Sequence, residues 1–115
     1  MTEWVPPETL LKVAGADSSL VAEMIDAFVT DAARRLRLIR TAMLSSDVRA
    51  LQRQVHAIKG SSQQMEVWQV ASLCEQIETA CLELSIPQSS AMVKTLETQV
   101  QDVCAAMTSF LKSNR

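Results

Sequence analysis

The sequence predicts an all-α protein, an up-down-up-down four-helix bundle with a short additional N-terminal helix. The first observation is composition, because only two glycines and three prolines interrupt 115 residues that are otherwise rich in helix-favouring types. The second is periodicity, because apolar residues recur at spacings of three and four along four long segments. With 48% hydrophobic residues, a chain of this length is expected to form one domain, residues 1–115, around a single core.

A short first helix is predicted over about residues 7–14. Pro6 and Pro7 can open it, since proline is tolerated in a first turn, and Gly15 can end it in a left-handed conformation. The bundle then occupies about residues 17–113.

Polar residues mark the ends of the next two helices. Asp17 or Ser18 caps the second helix, which ends near Ser45, and Ser46 or Asp47 caps the third. The stripes of these two helices are Val21, Met24, Ile25, Phe28, Ala32, Ile39 and Met43, and then Val48, Leu51, Val55, Ile58, Ser62 and Met65.

A break in the pattern separates the last two helices. Ser85, Ile86 and Pro87 interrupt it, because proline lacks an amide hydrogen and disfavours a helical residue before it. The stripes on either side are Val70, Leu73, Cys74, Ile77, Cys81 and Leu84, and then Met92, Leu96, Val100, Val103, Met107 and Phe110.

Composition also excludes several classes of function. No apolar run approaches the roughly 20 residues of a membrane span, and no export signal opens the chain, so we expect a soluble cytoplasmic protein. A net charge of -2 gives no general attraction to nucleic acid or to a membrane surface. Cys74, Cys81 and Cys104 contain no C-x-x-C pair and predict buried reduced thiols rather than a metal site.

Basic residues are concentrated in one part of the chain. Asp47 is the only acid between Arg34 and Lys59. Two interpretations stay open, a solvated helix face and a surface for an acidic partner. The basic residues in question are Arg34, Arg35, Arg37, Arg40, Arg49, Arg53 and Lys59.

His56 is the only histidine and the strongest candidate for chemistry. It falls roughly 130° from the apolar stripe of the third helix on a helical wheel, and is therefore expected on the solvent side. Lys59 lies one turn on, nearer the flank of the stripe. The other residues around His56 on the wheel are Arg49, Gln52, Arg53, Gly60 and Gln63.

An exposed imidazole in polar and cationic surroundings suits phosphoryl transfer. Imidazole titrates near neutral pH, so much of it has a free nitrogen lone pair in cells, and the reaction needs mainly positioning and compensation of oxygen charge. Lys59 can supply a cation, and Gly60 can open the approach at a cost of about 1 kcal/mol in helix propensity. The residues alone also allow an ordinary exposed histidine, a solubilising lysine and a glycine that is a chance defect or a close-packing residue.

The segment His56-Ala57-Ile58-Lys59-Gly60-Ser61-Ser62 resembles the signature of histidine-phosphotransfer (HPt) domains, in which histidine, any residue, an aliphatic residue, lysine and glycine precede two small residues. The stretch Leu73-Cys74-Glu75-Gln76-Ile77-Glu78 is similar to a second family pattern. The resemblance extends from about Pro7 to Leu111. It implies a helical bundle that relays a phosphoryl group between signalling proteins.

The resemblance also implies roles and partners. His56 would be the phosphoacceptor, Lys59 would assist the phosphoryl oxygens, Gly60 would open the approach, and Gln63 would bind the phosphoryl group or orient the ring. Partners would be response-regulator receiver domains and a hybrid sensor histidine kinase. The chain would need no cofactor of its own, with magnesium in the receiver. We further expect a monomer, with partner docking at Arg49, Gln52 and Arg53.

One departure from the family concerns Glu66, where many relatives have glycine. The junction between the third and fourth helices is therefore either wound differently or strained by about 1 kcal/mol. Nearby, Met65, Val67 and Trp68 either join the core or form an apolar docking surface.

Three other functions can be compared with the relay on the same residues. A kinase dimerisation helix normally has an acid directly after its histidine, where this chain has Ala57, and no nucleotide-binding loop follows. A hydrolase or metalloenzyme has no supporting motif. A non-phosphorylated module that binds or sequesters receivers stays open, because His56, Lys59 and Gly60 are necessary but not sufficient for a relay.

Overall fold

The computed structural model describes residues 4–15, 18–83 and 86–113, which form helices and short connections with no strand in these ranges. Helix α3 packs against α2 and α4, α5 closes the bundle against α4 and α2, and α1 lies on α2. The predicted all-α bundle with an added N-terminal helix is confirmed. The helices are α1 (Glu8–Ala14), α2 (Ser18–Leu44), α3 (Val48–Gln64), α4 (Trp68–Leu82) and α5 (Ile86–Ser113).

The core is built from the predicted stripes. Positions at the stripe margins, such as Met24 and Met43, are only partly buried, and the buried apolar residue early in α5 is Val93 rather than Met92. Leu84 lies outside the described residues. The largest fully buried side chains are Ile25, Ile39, Leu51, Ile58, Ile77, Leu96 and Met107.

Two predicted helix starts have different outcomes. Asp47 caps α3, since its carboxylate accepts a hydrogen bond from the Ala50 backbone N–H at 3.0 Å. The predicted break between the last two helices is present, but it ends earlier than predicted, because α4 ends at Leu82 and α5 already begins at Ile86. Pro87 is in the first turn, where its missing N–H has no partner to lose. The predicted cap at Asp17 lies outside the described residues.

The α2–α3 and α3–α4 turns share one backbone design. The Asp47 N–H bonds to the Ala42 carbonyl at 2.9 Å, and the Val67 N–H bonds to the Ser62 carbonyl at 2.8 Å. Each bond closes a Schellman turn. In such a turn the residue directly before the N–H donor must be left-handed. Those residues are Ser46, with φ 52°, and Glu66, with φ 54°. The junction at Glu66 is therefore the strained one of the two predicted alternatives.

The N-terminal segment closes one end of the bundle. Leu10 is buried, and Thr9 donates a side-chain hydrogen bond to the Glu66 carboxylate. Trp4 packs edge-on against Phe110, with ring centroids 5.7 Å apart. Helix α1 begins at Glu8, with Pro7 as its cap rather than in its first turn.

The structure also tests the predictions for Gly15, for the cysteines and for membrane-spanning helices. Gly15 has the predicted positive φ of 63°, although its ψ of -137° is outside the left-handed helical region. Cys74 and Cys81 are buried, and burial raises the pKa of Cys74 to about 12, but Cys104 is only partly buried. No helix among the described residues has the length and apolar character needed to cross a membrane.

Candidate functional site

His56 stands on the outer face of α3, as the helical wheel predicted. Its side chain is 69% exposed, while Val55, directly before it, is fully buried in the core. The apolar stripe thus turns α3 so that the imidazole projects into solvent. This placement leaves the ring accessible to another protein.

Glu78 of α4 joins the two candidate residues of α3. Its Oε2 lies 3.1 Å from His56 Nδ1, and its Oε1 lies 2.8 Å from Lys59 Nζ. Lys59 and Glu78 are largely shielded, with side-chain exposures of 21% and 17%. One carboxylate therefore holds both the imidazole and the ammonium group.

The charges at this site stabilise one another. Burial raises the pKa of the Glu78 carboxyl, but hydrogen bonds from Lys59 and His56 outweigh it and hold that pKa below its usual value. The hydrogen bond to Glu78 raises the pKa of the Lys59 ammonium group against the opposing effect of burial. At neutral pH the site contains a carboxylate and an ammonium ion.

The contact with Glu78 also assigns the imidazole tautomer. A carboxylate only accepts hydrogen bonds, so His56 Nδ1 must carry a hydrogen to donate to it. In the neutral ring the lone pair is then on Nε2. Nε2 is the nitrogen available to react with a group arriving from solvent.

Gly60 lies one turn beyond His56 on the exposed face of α3. A Cβ built at this position would meet no atom within 4 Å outside the local helix. Close packing, one explanation left open by the sequence, therefore does not account for this glycine. Because Gly60 has no side chain, the surface beside the histidine stays open to an approaching group.

The remaining predicted site residues lie on the same helix and make no hydrogen bond to the imidazole within the described structure. Arg49 and Arg53 are exposed and Gln52 is half-buried, all on the amino-terminal side of His56. Gln63 is exposed about 10 Å along the helix axis on the other side. Within the described structure, the hydrogen bond that orients the ring is the one from His56 Nδ1 to Glu78, and Gln63 makes no hydrogen bond to the ring.

The basic segment separates into paired and unpaired residues. Arg34 and Arg35 bind Asp31, Arg40 lies 3.4 Å from Glu97, and Lys59 binds Glu78. Arg37, Arg49 and Arg53 have no acidic partner among the residues that the structure describes. Two of these three unpaired cations are on α3, within two turns of His56.

Glu78 is the site residue for which the sequence predicted no role. It ends the second family-like stretch, so its position was visible in the sequence. Its contact with His56 depends on the register between α3 and α4, which no local pattern encodes. Among the described residues, no group of histidine, cysteine, aspartate or glutamate side chains is arranged to hold a metal ion.

Most of the chain matches a known protein family. A model of the Hpt domain family matches residues 23–109, which is most of the chain. The chain therefore belongs to the Hpt domain family, and its activity is histidine phosphotransfer in a two-component phosphorelay. Proteins of this family are phosphocarriers.

Two solved structures have the same fold. Histidine-containing phosphotransfer protein B (HptB) from Pseudomonas aeruginosa PAO1 is similar with a TM-score of 0.84 and 22% identity, over 96% of each chain. The HPT domain of the Hpt sensor hybrid histidine kinase from Shewanella has a TM-score of 0.76 and 22% identity, over 90% of this chain and 89% of that one. A search of curated protein sequences gave no match.

Proposed function

We propose that His56 Nε2 is the atom that carries the phosphoryl group of this relay protein. The observation that carries the proposal is the 3.1 Å contact between Glu78 and His56 Nδ1. It leaves Nε2 as the free nucleophile on an exposed side chain. His56 is also the only histidine in the chain, so no second residue competes for the role.

On the side of this chain, the transfer step needs only the imidazole of His56 and the groups around it. The Nε2 lone pair attacks the phosphorus of an aspartyl phosphate, forming the P–N bond while the P–O bond to the aspartate breaks and its carboxylate leaves. The ring keeps its Nδ1 hydrogen and becomes a phosphorylated imidazolium. Glu78 faces that hydrogen and stabilises the positive ring, and the reverse step passes the group to the next receiver.

Lys59 and Gly60 serve the phosphoryl group and the partner. Lys59 is held by Glu78 one turn from His56, where its ammonium group can exchange one carboxylate oxygen for a phosphoryl oxygen. Gly60 leaves room for the rim of the partner's active site. Gln63, distant from the ring, would contact the partner or the phosphoryl group rather than orient the imidazole.

Receiver domains and a hybrid sensor histidine kinase are the proposed partners. The unpaired Arg49 and Arg53 beside His56 complement the acidic pocket of a receiver, which would also supply the magnesium ion. We expect a cytoplasmic monomer without autonomous kinase activity, so incubation with ATP alone should leave it unlabelled. Light scattering at micromolar concentration should give the mass of one chain, and a dimer mass would contradict this expectation.

Transfer of labelled phosphate from a panel of phosphorylated receivers, with magnesium present, tests the proposal. The natural protein should acquire acid-labile, alkali-stable label, as expected of a phosphohistidine, and His56→Gln should acquire none. Binding of receivers without any label would favour the sequestering module. Label retained by His56→Gln would refute the assignment of the acceptor.

A further inference from the structure

A groove of about 250 Å³ lies between α2 and α5. Because α3 packs against α2 and α4, while α5 packs against α4 and α2, this edge of the bundle is opposite the α3–α4 edge where Glu78 contacts His56. A molecule in the α2–α5 groove would therefore leave the imidazole free. The lining residues are Val29, Ala33, Leu36, Arg37 and Arg40 of α2, and Val100, Gln101 and Cys104 of α5.

The inner surface of the α2–α5 groove is apolar. Val100 is buried beneath it, and Val29, Leu36 and Cys104 are half-buried. The core therefore covers one side of these half-buried side chains and leaves the other side facing the groove. Ala33 is exposed between Val29 and Leu36, and its short side chain leaves room for a larger one from another molecule.

The α2 side of the groove has the spacing of a helix-packing surface. Its row consists of Val29, Ala33, Leu36 and Arg40, at intervals of four, three and four residues. Such a row runs along the helix for about 16 Å, or about three turns, and can accept the side chains of another packed helix. The groove is also smaller than the roughly 300–1,000 Å³ of small-molecule sites. Its shape therefore fits one face of a short helix.

The same side of the groove is positively charged. Arg37 has no acidic partner among the described residues, and the exposed Arg40 lies 3.4 Å from Glu97. An ion pair with so exposed a partner contributes little stability, so Arg40 can also pair with another acid. None of the described residues that line the groove is acidic. An acidic partner would therefore complement both arginines.

We infer that the α2–α5 groove binds an acidic amphipathic helix of a partner protein. Apolar side chains of that helix fill the space over Ala33, and its acidic side chains pair with Arg37 and Arg40. Because the groove and His56 are on opposite sides of the bundle, this partner stays bound while phosphate is exchanged. The groove would thus hold the protein at a second protein without taking part in phosphotransfer.

A negatively charged membrane is the competing occupant, because the groove combines arginines with apolar residues. Helices that bind membranes insert a protruding apolar face into the lipid. Here the large apolar side chains are recessed between two helices, and the exposed lining residues are Ala33, Arg37, Arg40 and Gln101. The concave shape therefore favours a helix over a membrane surface.

Binding of a synthetic peptide tests the inference. The probe is a labelled acidic peptide of about 16 residues with leucines at the same four-three-four spacing, stapled on its polar face because short helices are marginal in water. We expect saturable binding with a Kd on the order of 10 μM, and binding about tenfold weaker for a stapled peptide of scrambled sequence. Equal binding of the two peptides, or no saturable binding of the probe, would overturn the inference.

Variants of the groove test where the probe binds. Ala33→Gln should weaken binding about tenfold by filling the groove, whereas Ala91→Gln, at an exposed alanine of α5 outside it, should stay within about twofold. Arg37→Glu should weaken binding about tenfold and reduce its dependence on salt. Arg53→Glu makes the same change in net charge on α3 and should bind the probe normally. All four positions are exposed, so melting curves should be unchanged.

Three further outcomes would also overturn the inference. The first is normal probe binding by both Ala33→Gln and Arg37→Glu. The second is slower transfer from a phosphorylated receiver when the probe is saturating, because the probe would then bind on the His56 side. The third is binding to phosphatidylglycerol vesicles that Arg37→Glu abolishes, without binding of the probe, which would assign the groove to a membrane. Probe binding is measured without phosphorylation, so it succeeds or fails independently of the proposed function.

Discussion

Glu78 Oε2 lies 3.1 Å from His56 Nδ1, and the two residues are 22 positions apart on neighbouring helices. The same carboxylate binds Lys59 through its other oxygen. The histidine is therefore oriented by a helix that does not carry it. A change at the α3–α4 interface can alter the chemistry of His56 without altering α3 itself.

The carboxylate of Glu78 should stabilise the folded protein at pH values above its pKa. The folded-state pKa of Glu78 is below the ordinary 4.5, so its contribution is present above pH 4.5 and is lost as pH falls through the folded value. Glu78→Gln should lower the free energy of unfolding by about 1–3 kcal/mol at pH 7, because it leaves Lys59 without its counter-charge. Urea unfolding should show the difference fading as the pH falls below 4.5 and through the folded-state pKa of Glu78. Glu75→Gln, an exposed neighbour, is the control and should show no comparable loss.

Lys59 should affect the rate of transfer more than the binding of the partner. Its ammonium group is mostly shielded and reaches the receiver only through the phosphoryl oxygens. Lys59→Met should slow single-turnover transfer about 10–100-fold while the KM changes little. Lys94→Met removes an exposed lysine from α5 and should transfer normally. Equal rates in the two variants would remove Lys59 from the mechanism.

Two substitutions of Gly60 should show that helix stability and access to His56 are independent properties. Gly60→Ala should stabilise the protein by about 1 kcal/mol, because alanine is the better helix former and its methyl group meets nothing. Gly60→Gln should also fold normally but slow transfer about tenfold by crowding the approach. Thermal melts and transfer rates measured on both variants test this. Fast transfer by Gly60→Gln would mean that the partner does not approach over this turn.

Ser46 and Glu66 should respond differently to glycine. Both are left-handed, so Ser46→Gly should stabilise the protein by roughly 0.5 kcal/mol once the added freedom of the unfolded chain is subtracted. Glu66→Gly gains the same relief but loses the hydrogen bond from Thr9, worth about 1 kcal/mol, and should be neutral or destabilising. In a Thr9→Val background the two substitutions should become equivalent. Urea denaturation of the natural protein, the three single variants and the two double variants measures the cycle.

Much of the fold could be predicted because helices are encoded locally. The three-and-four spacing of Leu51, Val55 and Ile58 both defined α3 and placed His56 on its outer face. Asp47 was a recognisable cap for the same reason. The break before α5 was placed too late because a proline can end a helix or begin one, and the choice at Pro87 depends on where neighbouring helices place the chain.

The contacts that complete the site could not be predicted in this way. Glu78 is near His56 because α4 runs antiparallel to α3 in one particular register. That register is set by how buried residues such as Ile58 and Ile77 interlock. Periodicity defines which face of each helix is buried but leaves its axial offset from the neighbouring helix open.

The sequence by itself determined the helical class, the exposure of His56 and the resemblance to phosphotransfer domains, because helix periodicity and a contiguous motif are local properties. Only the tertiary structure decided that Glu78 bridges His56 and Lys59, that Gly60 faces open space, and that Glu66 adopts a left-handed turn. These features depend on distances between helices. Such distances are set when the whole core packs, so no single segment of the sequence contains them.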